Sequence, residues 1–144
     1  MKVFLILFVL SALAFGCNKE KVINRKLKGD WEVTYRSTFW QNGFNTAPQT
    51  NEIANWAILS LDKNGEGTLK VYGEEDQPLI VKHFVDGDER FEILDFNGDS
   101  NGVFNVTWGW DKKSFQMTQR DMIYGTDNQE YEVFSEVILI CKKK

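Results

Sequence analysis

One histidine, two cysteines and two prolines are all that 144 residues contain of those three types. A zinc site needs three or four cysteine, histidine or carboxylate ligands, and this inventory does not supply a usual cysteine/histidine set. No Ser-His-Asp or Cys-His group can be assembled either, because Cys141 has no general base near it in sequence. No glycine-rich phosphate loop leads into a helical segment. Basic charge is also short: 17 Lys and Arg stand against 21 Asp and Glu, and a net charge of −4 lacks the basic face that nucleic-acid binding needs. No apolar run approaches the roughly 20 residues of a membrane-crossing helix. Helical stripes, internal repeats, low-complexity tracts and interior linkers are all missing. The expectation is one domain with no catalytic constellation, no metal or other cofactor, and no nucleic-acid partner.

What is present begins with MKVFLILFVLSALAFGC. Lys2 precedes an apolar run from Val3 to Phe15, broken only by Ser11, and small Gly16 leads to Cys17. A positive start, a short greasy centre and a small residue at the cut make the plan of a secretory signal. The stretch LAFGC, with Gly16 before Cys17, resembles a bacterial lipoprotein box. The resemblance implies that residues 1–16 are removed and that the Cys17 thiol forms a thioether to a diacylglyceryl group. Several acyl chains on one residue give stable anchoring, where a single chain gives only marginal binding. Residues 17–28 then form the lipidated cysteine and a polar tether, with at most a short helical turn at its end. Lys19, Glu20 and Lys21 mix their charges, so an acidic cue for surface export is lacking. The implied location is the cell envelope, at the periplasmic face of the outer membrane. Cys141, in the apolar run VILIC, reads as a small buried hydrophobe, and no disulfide is expected. Lys142, Lys143 and Lys144 read as a solvated tail.

From Gly29 to the end, apolar and polar residues alternate at period two in runs separated by turn signals. The runs are WEVTYRSTFW, IANWAILSLD, GTLKVYG, LIVKHFV, RFEILDF, VFNVTWGW, FQMTQRDMIY and YEVFSEVILIC. In the first, Trp31, Val33, Tyr35 and Phe39 share a face. Links this short join antiparallel neighbours. The fold class is therefore all-β: an eight-stranded antiparallel up-and-down meander over residues 29–144, closing as a barrel or, alternatively, folding over as a β-sandwich.

Gly29-Asp30-Trp31, at the start of the first strand after a short polar lead, resembles the Gly-x-Trp signature of lipocalins. The resemblance implies a lipocalin-like barrel in which Gly29 allows a tight entry and Trp31 plugs one barrel end. It departs from the family in having no C-terminal helix and no arginine in the last strand to cover Trp31; Arg120 lies one strand too early.

The alternation turns His83 inward with Leu79, Val81 and Val85, as a core or barrel-end histidine with one hydrogen-bond partner. Phe104, Val106, Trp108 and Trp110 share a face. The candidate ligand-binding residues are Tyr35, His83, Phe104 and Trp108, inward from three strands and suited to a small apolar ligand. Against this, an eight-stranded barrel has an interior that side chains fill, and the many large residues favour filling. A filled barrel would meet a protein partner, of unknown identity, through outer residues such as Phe134, Ile138 and Ile140. Asn97, Asp99, Asn101 and Gly102 match the first half of a calcium loop, but Trp108 stands where its bidentate glutamate belongs. Flanked by strands, FNGDSNGVF reads as a hairpin turn.

Overall fold

The computed structural model describes residues 19–42, 47–74, 77–95, 97–123 and 133–144; Cys17 lies outside the described residues. Among these, α1 (Lys19–Leu27) precedes β1 (Gly29–Asn42), β2 (Gln49–Leu61), β3 (Glu66–Val71) and β4 (Leu79–Asp86). Then follow β5 (Asp88–Leu94), β6 (Ser100–Trp108), β7 (Ser114–Ile123) and β8 (Val133–Lys143). Each strand pairs antiparallel with its neighbours in sequence, and β8 pairs back onto β1. The result is a closed up-and-down barrel of lipocalin-like form, and the sandwich alternative is set aside.

Three of the hairpin turns use one device. Asp62 Oδ1 accepts the backbone N–H of Asn64 (2.7 Å) and of Glu66 (3.1 Å). Asp95 Oδ1 accepts those of Asn97 (2.8 Å) and Asp99 (2.9 Å), which makes the would-be calcium stretch an aspartate-capped turn. Asp111 Oδ1 accepts from Lys113 N (2.9 Å), and that bond, ahead of the others, holds its carboxyl below the ordinary range. A short acceptor folding back on its own backbone is what favours aspartate in turns.

Period two breaks in β1. Val33 pairs with Cys141 of β8, but the next partner, Ile140, falls to Tyr35, so Thr34 is an extra residue in the ladder. On the other side, Ala57 and Ala54 oppose Val33 and Tyr35, and Asn55 takes a positive φ of 49°. A bulge of this kind reverses which side chains face inward. Trp31 and Val33 are buried in the core, but beyond the bulge Arg36 shares the inner face with Leu139. Tyr35 and Phe39 are turned outward, contrary to the face read from strict alternation.

The residues expected to be a tether form α1 instead. Glu20 in its first turn and Arg25 and Lys26 in its last complement the helix dipole. Its Asn24 and Leu27 are buried under one end of the barrel. Gly29, at φ +114°, turns the chain sharply from helix to strand, a conformation that side chains resist. The core is one continuous cluster running from Leu27 and Trp31 through Phe91 and Phe115 to Leu139.

Candidate functional site

The two ends of the barrel differ, and each follows from its residues. At the α1 end, Trp31 is 1 % exposed. Its ring meets Phe115 edge-on (centroids 4.8 Å apart) and Trp108 likewise (6.0 Å), while Phe91 stacks on Phe115 (5.7 Å). The last carbonyls of a helix have no partner inside it. Here Trp31 Nε1 donates to Leu27 O (2.6 Å), and Lys143 Nζ donates to Lys28 O (2.7 Å) and Lys26 O (3.3 Å). The same ammonium lies 4.6 Å from the Trp31 ring centre, a cation–π contact. Lys143 is thus part of β8 and covers Trp31; it is not a solvated tail.

A polar chain crosses the same end. Asn24 Nδ2 donates to Asn64 O (2.8 Å), which fixes the amide so that Oδ1 accepts from His83 Nδ1 (2.6 Å). His83 Nε2 faces Glu89 Oε1 at 3.2 Å, but out of hydrogen-bond alignment. Glu89 Oε2 accepts from Trp108 Nε1 (2.9 Å). Gly65 lies beneath Asn24, where any Cβ would strike the amide, and its φ of +81° also favours glycine. The His83 side chain is fully buried and ties α1 to the barrel, while Glu89 and Trp108 also line an open pocket of about 460 Å³ beside α1, with Ile23, Lys26, Trp110 and Lys112.

The other half of the barrel is not filled. A cavity of about 240 Å³ is lined by side chains from all eight strands: Arg36, Trp56, Leu69, Leu79, Ile93, Phe104, Gln119 and Leu139 among them. Its walls are mainly apolar, with Arg36, Asn101 and Gln119 as the polar exceptions. Arg36 is held with its guanidinium 4.8 Å from the Trp56 ring centre. The wall parts on one side. Strands β6 and β7 pair only from Asn105 with Thr118 to Trp108 with Phe115, and beyond that they diverge. A polar cleft of about 700 Å³ occupies the gap, and Asn101 and Gln119 line both cleft and cavity.

Of the four residues expected at a ligand site, Phe104 alone lines this cavity. His83 and Trp108 face inward but belong to the packed α1 end. Tyr35 lies on the outer face, where a hydrogen bond to Glu52 foremost raises its phenol above the ordinary value. Trp110 does not continue the Trp108 face: β6 ends at Trp108, and Trp110 stands fully exposed in the turn. The outer placement of Phe134, Ile138 and Ile140 agrees with the alternation, opposite the inward Val137 and Leu139. Sequence reasoning does not reach Arg36, Trp56 and Gln119; for Arg36 the reason is that strict alternation puts it on the polar side of β1. A run of two β-branched or hydroxyl residues around it carries no mark of a bulge.

Comparison of the chain with protein-family models, with curated proteins and with solved structures finds no match. The geometry of the barrel carries the functional reading.

Proposed function

We propose that this chain is a lipid-anchored protein of the bacterial cell envelope whose barrel binds a small, largely apolar molecule. The observation that carries the reading is the cavity to which all eight strands contribute. At about 240 Å³ it exceeds the roughly 150 Å³ that suffices for benzene, yet falls below the range of drug-sized pockets, about 300–1,000 Å³. The ligand is therefore small. Anchoring is supported by Cys17 at the boundary between the apolar run and the first charges, which suits thioether lipidation. Helix α1 starts two residues after Cys17 and packs on the filled end, so the tether holds the barrel close to the bilayer.

The test is native mass spectrometry of protein purified from its own host membranes, followed by organic extraction. A stoichiometric adduct of low mass, lost on unfolding, is the expected result. A bare protein that also shows no tryptophan fluorescence response to a panel of small apolar compounds would refute lumen binding. That result would leave a role in protein contact through the outer face of β8, where Phe134 stacks edge-on against Phe39 (5.5 Å).

A further inference from the structure

The cavity wall contains a cation without a counter-charge. Arg36 reaches the lumen because the bulge reverses β1, and among the described residues no carboxylate pairs with it. Asp121, on the same inner row of β7 as Gln119, is already held by Gln119 Nε2 (2.9 Å). Arg36 is only partly buried, so withdrawing its charge from water carries a partial desolvation cost. Stacking on Trp56 offsets part of that cost and fixes the plane of the guanidinium, but it leaves the edge donors of the fork free. Two residues along the same inner row, Thr38 Oγ1 is buried and has no hydrogen-bond partner. Thr38 pairs with Val137, itself a cavity residue, but is not part of the cavity lining. Native structures rarely leave such a group unpaired unless water or a ligand completes it.

We propose that the lumen selects an amphipathic anion: a small molecule whose carboxylate docks on the Arg36 fork and whose apolar body lies against Leu79, Ile93, Phe104 and Leu139. The proposal rests on the lumen being a binding site and adds the charge and polarity of what enters it. A planar guanidinium matches a carboxylate through two parallel N–H···O bonds, stronger than neutral ones. The chain as a whole is acidic, at −4, so an anion gains nothing from the general field and is recognised by this one local group.

The experiment is isothermal titration of the purified protein with three probes of equal chain length: octanoate, 1-octanol and octylamine. Octanoate is expected to bind at least tenfold more tightly than 1-octanol, with octylamine weakest. Arg36→Gln should lower octanoate affinity at least tenfold and leave 1-octanol within about twofold, while Arg36→Lys keeps part of the preference. A thermal melt of each variant checks folding; if Arg36→Gln does not fold, the three-probe ranking and Arg36→Lys decide. Equal binding of octanoate and 1-octanol overturns the anion assignment but leaves the lumen as a binding site. Binding by none of the three at saturating concentration overturns both.

Discussion

Removing the Trp31 ring tests whether the α1 end is the part of the barrel that holds it shut. The ring is almost wholly buried, so Trp31→Ala deletes a large apolar group and leaves a void; such changes cost about 3–5 kcal/mol. The contacts support the upper part of that range. Two edge-to-face pairs, with Phe115 and Trp108, contribute about 0.5–1.5 kcal/mol each beyond the area they bury. The indole N–H also satisfies Leu27 O, and a buried carbonyl left unpaired costs about 1–3 kcal/mol. Trp31→Phe separates the terms, because it keeps a ring but removes that donor. Expected losses are about 4 kcal/mol for alanine and about 2 kcal/mol for phenylalanine, against total stabilities of about 5–15 kcal/mol for domains of this kind. Urea unfolding followed by near-ultraviolet circular dichroism measures both. A loss below about 1 kcal/mol for Trp31→Ala would show that the ring does not plug the barrel. Equal losses for the two variants would show that the indole N–H, and not the ring packing, carries the effect.

Cys17→Ser should release the protein from membranes or leave an uncleaved precursor; unchanged partitioning together with an unchanged mature mass would defeat the lipidation reading. Burial pushes the Cys141 thiol up to about 12, so a disulfide reagent at pH 8 should leave it unmodified until denaturant is added, and fast labelling of the folded protein would contradict its burial. Tyr35 is raised by its bond to Glu52, so the neutral phenol is the favoured form in the fold. That contribution is complete below the ordinary tyrosine range and is lost as pH climbs through the raised value. Glu52→Gln should therefore bring one phenol titration, followed at 295 nm, back down towards the ordinary value; an unchanged curve would remove Glu52 as the cause.

Alternation was enough to read eight strands and an inward His83, because each strand buries one face and period two records it. Closure into a barrel was legible only through the Gly29-Asp30-Trp31 resemblance: it depends on β8 meeting β1, and alternation encodes no partner so distant. The bulge at Thr34 was invisible for a related reason. WEVTYRSTFW alternates in a single phase with no mark of a shift at Thr34, and the register is set by neighbours on both sides. Its cost to the reading was large, since it exchanged Tyr35 for Arg36 at the candidate site. Helix α1 was missed because nine mostly polar residues carry little helical signal of their own; burying Asn24 and Leu27 against the barrel stabilises it. Lys143 looked like tail for the same reason: its partners are Trp31 and the carbonyl end of α1, all from the opposite end of the chain.

The seam between β1 and β8 also sets how this molecule must be born. It runs from Trp31 opposite Lys143 to Asn42 opposite Val133, so β1 waits for β8. Joining such distant segments carries the largest loop-closure entropy in the fold, and topologies dominated by distant pairing fold slowly. During that wait β1 offers a row of unpaired N–H and C=O groups, with Trp31 and Val33 beside them, as a template for any other extended chain. The barrel cannot close until β8 is available to β1. Its yield depends on whatever keeps the β1 edge soluble until β8 arrives.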